Sequence, residues 1–116
     1  MNDELDKPTV AEISVEELSG ISECLVIDVR EEYEFVEVRA KGAKLLPLEQ
    51  VPLSLDSLPK DRKIYVICAS GNRSKVACEY LNKHGFDSVN VIGGTIAWNT
   101  SGYSVDRGPI DDGEVL

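Results

Sequence analysis

Two short apolar runs, at positions 24–29 and 63–68, most narrowly limit what this 116-residue chain can fold into. Apolar and polar residues hardly alternate within either run, which predicts strands that are buried on both faces. A helical pattern follows each run, at 31–37 and at 73–84, and Gly85 supplies a stop for the second helix. Buried strands that alternate with helices are typical of a parallel sheet.

The remaining segments continue this alternation. Ser14 and Glu17 have the spacing of a capping box, which predicts a helix just after a short strand at 9–13. Further patterns predict a weaker strand at 43–47, a helical turn at 53–58, a strand at 87–92 and a last helix at 95–100. We therefore predict an α/β fold with a mostly parallel sheet of about five strands and helices on both faces. The predicted buried stripe of the helix at 73–84 consists of Val76, Ala77, Tyr80 and Leu81.

The length of the chain, 12.7 kDa in mass, predicts one domain with a single hydrophobic core. The polar residues 1–8 and the acidic residues 106–116 are expected to be flexible tails on either side of a domain at 9–105. The first residues lack the pattern of a secretory signal, and the sequence has no apolar run of about 20 residues that could cross a membrane. We therefore expect a cytoplasmic location.

The formal net charge of −9 and the pI of about 4.5 disfavour nucleic acid and anionic membranes as partners. The same charge repels a small anion, so an anion-binding site in this chain needs a local concentration of positive charge. The three cysteines, at 24, 68 and 78, include no Cys-x-x-Cys pair and therefore indicate neither a disulfide framework nor a zinc site. We expect no metal and no cofactor.

The segment 68–74 joins the second buried strand to a helix and contains the chemically most informative residues. Ligands of parallel sheets bind beyond the carboxyl ends of the strands, where Cys68 is predicted to lie. A loop of small residues can curl so that its N–H groups and the positive end of the following helix face the Cys68 sulfur. Such surroundings, with the nearby cation Arg73, stabilise a thiolate without a general base. The loop residues expected to contact substrate are Ala69, Ser70, Gly71, Asn72 and Ser74.

The pattern Cys-x-x-Gly-x-Arg-Ser at 68–74 resembles the active-site loop of rhodanese-like domains, the thiosulfate sulfurtransferase family. Four further segments resemble the family in the right order: Asp28-Val29-Arg30-Glu31, Glu32-x-Glu34-Phe35, Gly42-Ala43 with Leu46-Pro47-Leu48, and Gly93-Gly94-Thr95-x-Ala97-Trp98 with Gly102-x-x-Val105. The resemblance spans about 9 to 105. One stretch departs from it: residues 38–43, Val-Arg-Ala-Lys-Gly-Ala, stand where the family usually has Gly-His-Ile-Pro-Gly-Ala. The histidine is lost, and the cations Arg39 and Lys41 are gained.

The resemblance implies a single-domain sulfurtransferase in which Cys68 takes a sulfur atom from a small anionic donor such as thiosulfate and passes it on. A thiol, cyanide or a protein is the expected acceptor, and we expect a monomer. We expect Asp28, Arg30 and Glu32 to form a network of ion pairs and hydrogen bonds that supports the loop. Arg73 then either attracts the donor, together with the helix N-terminus and the two new cations, or is captured by that bracing network.

Other readings of the same residues remain open. A cysteine phosphatase or arsenate reductase loop of the related type has five residues between its cysteine and arginine, whereas four separate Cys68 from Arg73. A non-catalytic interaction module or sulfur carrier would use the same fold. A dithiol redox role is disfavoured, because Cys78 lies within the following helix and Cys24 is expected at the opposite edge of the sheet. His84 and Trp98 have ordinary structural explanations, as a cation at a helix end and as packing.

Overall fold

The computed structural model describes residues 9–116, so the tail predicted at 1–8 lies outside the described residues. The strands are β1 (Ala11–Ile13), β2 (Leu25–Asp28), β3 (Arg39–Ala40), β4 (Lys44–Leu45), β5 (Ile64–Ile67), β6 (Ser88–Val91) and β7 (Val105–Asp106). The α-helices are α1 (Val15–Ser19), α2 (Glu32–Glu37), α3 (Asn72–Lys83) and α4 (Gly94–Thr100), and 3-10 helices cover Leu48–Leu53, Leu55–Ser57 and Asp112–Glu114. The predicted capping box begins α1, since Ser14 and Glu17 each accept a hydrogen bond from the other's amide.

Five strands form a fully parallel sheet in the order β1-β6-β5-β2-β4, which confirms the predicted fold class. The two apolar runs became β5 and β2, the middle strand and its neighbour. Cys68 directly follows β5 and therefore lies at the carboxyl edge of the sheet, at its centre. Leu25 pairs with Ile64 at the other end of these strands, so Cys24 lies at the opposite edge, as expected.

Two groups of apolar side chains cover the two faces of the sheet. On one face, Ala77 and Leu81 of α3 pack with residues of β2 and β5 and with the 3-10 helix Leu48–Leu53. On the other face, α1, α2 and α4 pack around the fully buried Phe35. The predicted buried stripe of α3 was wrong at Val76, which is 54% exposed. The face of α3 that packs on the sheet is narrower than the stripe of apolar residues in its sequence.

Residues 106–116, which we expected to form a flexible tail, make defined contacts with the rest of the domain. Strand β7 pairs with β3 in a small antiparallel sheet, and the chain then returns to the edge strand β4, where Val115 bridges to Leu45. The amide of Leu116 donates to the carbonyl of Leu45 at 3.1 Å. The physical reason lies at Arg39, whose buried guanidinium is bound by the Glu114 carboxylate at 2.6 and 3.0 Å. An isolated buried charge is costly, so this ion pair holds the segment in place.

Candidate active site

The loop after β5 turns its backbone toward the sulfur of Cys68. Gly71 adopts a left-handed conformation, with a φ of +112°, at the position just before α3 begins. This conformation favours glycine, and it lets the chain fold back so that the Gly71 N–H donates to Cys68 Sγ at 3.1 Å. The Ser74 hydroxyl, in the first turn of α3, lies 3.2 Å from the same sulfur. Among the other predicted loop residues, Ala69 is half-buried, and Ser70 and Asn72 are exposed.

Opposing effects act on the pKa of Cys68. The residue is only 1% exposed, and burial by itself acts to raise the pKa of its thiol. The Ser74 hydroxyl, when its proton faces the sulfur, and the amides of Ser74, Gly71 and Ser70 stabilise the thiolate and outweigh the burial. The pKa of Cys68 therefore lies below the ordinary value for cysteine. Burial instead raises the pKa of Cys78 to about 11 and also raises that of Cys24, so Cys68 is the most readily ionised thiol of the three.

The first turn of helix α4 is hydrogen-bonded to the backbone of the loop. The amides of Thr95 and Ile96 donate to the carbonyls of Cys68 and Ala69, at 2.8 and 3.1 Å. Gly94 makes this close approach possible, because a Cβ atom at that position would lie 2.5 Å from both of these carbonyl oxygens. Gly94 also has a φ of +57°. The second glycine of the Gly93-Gly94 pair is therefore explained by the contact between α4 and the loop.

A chain of buried hydrogen bonds leads away from the sulfur to strand β6. The Ser74 hydroxyl donates to Asn90 Oδ1 at 2.5 Å. The Asn90 amide nitrogen donates in turn to the Gly71 carbonyl at 3.1 Å and to the Glu12 carboxylate at 3.3 Å. Asn90 is 2% exposed, so its amide is satisfied by protein groups. These bonds connect the loop, α3, β6 and β1 around Cys68.

Arg73 is paired with Glu34, a residue that the sequence analysis did not assign to the site. Its two terminal nitrogens donate to the two carboxylate oxygens of Glu34 at 2.8 and 2.9 Å. This bidentate contact with Arg73 lowers the pKa of Glu34 to about 2. The pair joins the first turn of α3 to helix α2. The predicted capture of Arg73 thus has a different partner from the expected network of Asp28, Arg30 and Glu32.

Asp28 and Arg30 form a buried pair of their own. The Asp28 carboxylate accepts from the amide of Arg30 at 3.0 Å and from its guanidinium at 2.9 to 3.1 Å. The guanidinium also donates to the Val38 carbonyl at 2.7 Å. The pair lies at the carboxyl edge of β2, next to β5. Through the bond to Val38 it connects the segment just before α2 with the residue just after it. Glu32 is exposed at the start of α2 and takes no part in this pair.

The two cations expected to add positive charge to the site have other surroundings. Arg39 is 3% exposed, and besides Glu114 it donates to the carbonyls of Phe35, Gly108 and Pro109. Its charge is therefore neutralised within the C-terminal segment, and its expected role at the site was wrong. Lys41 is exposed on the turn after β3.

Three residues of the site were not assigned from the sequence: Glu34, Asn90 and Gly94. Each left a signal. Glu34 and Gly94 belong to segments that carry the family resemblance. Asn90 is a polar residue between two valines in a predicted strand, and a polar side chain that such a strand buries needs partners.

Comparisons with known proteins agree with this geometry. The family model for the rhodanese-like domain matches residues 14–101, so the chain belongs to the rhodanese-like domain family. A protein described as "Sulfurtransferase" from Allochromatium vinosum is 32% identical over 106 residues, which cover 90% of this chain and 95% of that protein. These relationships support the sulfurtransferase class.

Two solved structures have the same fold. The rhodanese-like domain protein from Staphylococcus aureus superposes with a TM-score of 0.77 at 32% identity, covering 86% of this chain and 100% of that one. The rhodanese-related protein from Thermoplasma volcanium superposes with a TM-score of 0.78 at 34% identity, covering 83% and 97%. Within residues 9–116, no helix is both long enough and apolar enough to cross a membrane.

Proposed function

We propose that the protein is a sulfurtransferase that carries a sulfur atom on Cys68 as a persulfide, with thiosulfate as a competent donor. The observation that supports this most directly is the Gly71 N–H aimed at Cys68 Sγ from 3.1 Å, with the Ser74 hydroxyl beside it. These donors favour the thiolate, which is the nucleophilic form of cysteine.

In the first step the Cys68 thiolate attacks the outer sulfur of thiosulfate. A new S–S bond forms to Cys68, the S–S bond of thiosulfate breaks, and its electron pair leaves with sulfite. In the second step an acceptor nucleophile, such as a thiolate or cyanide, attacks the terminal sulfur of the persulfide. That S–S bond breaks, and the Cys68 thiolate is regenerated. The cycle is covalent catalysis in two stages and needs no redox partner.

In this proposal the loop amides bind the anionic sulfur species, and Arg73 positions the loop. Both terminal nitrogens of Arg73 are bound to Glu34, so its charge is largely compensated. Positive potential then comes from the N–H groups of residues 69–74. Helix α3 begins in the same loop, so the positive end of its dipole contributes as well. Ser70 and Asn72 are the exposed loop residues that an entering donor meets first.

Sulfur loading tests the proposal. The protein is incubated with thiosulfate and its intact mass is measured by mass spectrometry. We expect a gain of one sulfur atom that is lost on reduction, is absent in Cys68→Ser and persists in the matched variant Cys24→Ser. A low-molecular-weight persulfide is the second donor in the same experiment. Loading by the persulfide alone would overturn thiosulfate as donor, and no loading by either would overturn the transferase in favour of a non-catalytic module.

A further inference from the structure

The Ser74 hydroxyl stands between two groups that can both accept its single proton. Its oxygen lies 3.2 Å from Cys68 Sγ and 2.5 Å from Asn90 Oδ1. A serine hydroxyl donates one hydrogen bond and accepts others, whereas an amide oxygen only accepts. The short contact with Asn90 therefore takes the Ser74 proton. In that arrangement Ser74 faces the sulfur with a lone pair, so it can accept from a thiol but cannot stabilise a thiolate.

The orientation of the Asn90 amide is determined by its other contacts. Its nitrogen faces two groups that only accept, the Gly71 carbonyl at 3.1 Å and the Glu12 carboxylate at 3.3 Å. Turning the amide over would place its oxygen against both acceptors and its nitrogen against the Ser74 hydroxyl. The oxygen therefore stays directed at Ser74.

We propose that Asn90 is a positioning residue for the sulfur chemistry, because it competes with the Cys68 sulfur for the one hydroxyl proton of Ser74. When Cys68 is a thiol, its S–H donates to Ser74, which donates to Asn90. When Cys68 is a thiolate, Ser74 turns its proton to the sulfur and Asn90 loses its donor. The inference rests on the proposed function in taking Cys68 as the reacting sulfur.

The competition also distinguishes the free enzyme from the loaded one. In a persulfide the negative charge resides on the terminal sulfur, and Sγ is then a neutral atom with two covalent bonds. A neutral sulfur of this kind is a weak hydrogen-bond acceptor, so the Ser74 proton returns to Asn90. Asn90 thereby stabilises the loaded form relative to the free thiolate, which keeps the thiolate reactive toward a donor.

Few charged groups face this network. From β1 comes the Glu12 carboxylate, which touches Asn90, and from α3 comes Arg73, which is compensated by Glu34 of α2. The Asp28 carboxylate at the end of β2 is compensated by Arg30. Helix α3 also contributes the Cys78 thiol, whose pKa is raised by burial. Strand β6 and helix α4 contain no ionisable side chain.

The test uses Asn90→Val, which removes the competing acceptor and suits a buried strand. We expect the midpoint of the pH–rate profile for alkylation of Cys68 by iodoacetamide to fall by about half a pH unit to one unit, since a hydrogen bond to a charged group is stronger than one to a neutral group. Alkylation is assigned to Cys68 by peptide mass. General damage to the loop would have the opposite effect, because losing the amide donors raises the pKa of Cys68. An unchanged or raised midpoint would overturn the proposal.

A double-mutant cycle shows whether Asn90 acts through Ser74. In a Ser74→Ala background, Asn90→Val should no longer move the midpoint, and the same shift in both backgrounds would refute the proposed route. The matched control is Asn82→Ala, which breaks a similar pair, Ser88 Oγ to Asn82 Oδ1 at 2.7 Å, away from the sulfur. This control should lower stability and leave the midpoint unchanged.

Asn90→Thr is the second variant if Asn90→Val does not fold, because its side chain ends one bond short of the position of Asn90 Oδ1 and therefore loses the contact with Ser74. The same downward shift is expected, and its absence would overturn the proposal. The readout needs no sulfur transfer, so failure of sulfur loading in the unaltered protein would reject the proposed function while the alkylation profile still judges the role of Asn90.

Discussion

Replacing Gly94 by alanine should damage both the fold and the site, because two separate constraints act at this position. Its backbone is left-handed, with a φ of +57°, and an added Cβ would lie 2.5 Å from the carbonyl oxygens of Cys68 and Ala69. Those oxygens belong to the backbone of the loop that begins at Cys68, so they cannot move aside as a flexible side chain could. Either α4 or the loop has to shift, which weakens the hydrogen bond from Thr95 N–H to the Cys68 carbonyl.

The size of the effect follows from the two constraints. A non-glycine residue in the left-handed region costs about 1–2 kcal/mol, and an overpacked contact in a rigid environment costs about a further 1–3 kcal/mol. Gly102 provides a matched control, because its φ is +84° and an added Cβ there would meet no atom within 4 Å. Gly102→Ala should therefore cost only the conformational part. The difference between the two variants isolates the contact with the loop.

Equilibrium unfolding in urea measures both free energies. The free energy of unfolding of a typical domain is about 5–15 kcal/mol, so Gly94→Ala should lose a large part of it. Gly94→Ala should also be clearly less stable than Gly102→Ala. The Gly94 variant should also show a higher alkylation midpoint for Cys68, because the loop amides no longer converge on the sulfur. Equal stabilities for the two variants would refute the argument that Gly94 is required by its contact with the loop.

Three further predictions concern the ion pairs. Arg73→Lys should slow sulfur transfer but lower the free energy of unfolding only slightly, because an ammonium group cannot replace the bidentate contact with Glu34. Steady-state rates and urea unfolding measure the two effects. The pKa of Glu34 is lowered to about 2, so the pair should contribute stability above about pH 4.5 and lose it as the pH falls toward 2. The free-energy difference between the unaltered protein and Glu34→Gln should then be at most about 1 kcal/mol at neutral pH, because Arg73 is partly exposed, and should vanish in acid. Glu114→Ala leaves the buried Arg39 without its carboxylate and should cost about 3–5 kcal/mol in urea unfolding, whereas Arg39→Met in the same background should recover part of the loss.

The fold class was predictable because its signals are local. The apolar runs of β2 and β5 are long enough to be recognised without their neighbours, and the capping residues Ser14 and Glu17 lie three positions apart. The loop at Cys68 was predictable for the same reason, since a strand, a glycine and a helix start follow one another along the chain. Val76 shows the limit of this reasoning, because the periodicity of a helix does not say how wide the surface opposite it is.

Contacts between distant segments were decided only by the tertiary structure. Glu34 is 39 positions from Arg73, Asn90 is 16 from Ser74, and Glu114 is 75 from Arg39. Charge and polarity identify each of these residues as one that needs a partner, but the partner is chosen by which strand ends lie side by side. The sequence alone therefore determined the alternating fold and the position of Cys68 at a strand end. The packing of the sheet decided which carboxylate holds Arg73, which amide faces Ser74 and where the C-terminal segment lies, because burial forces a charged or polar group to pair with whatever group the fold brings next to it.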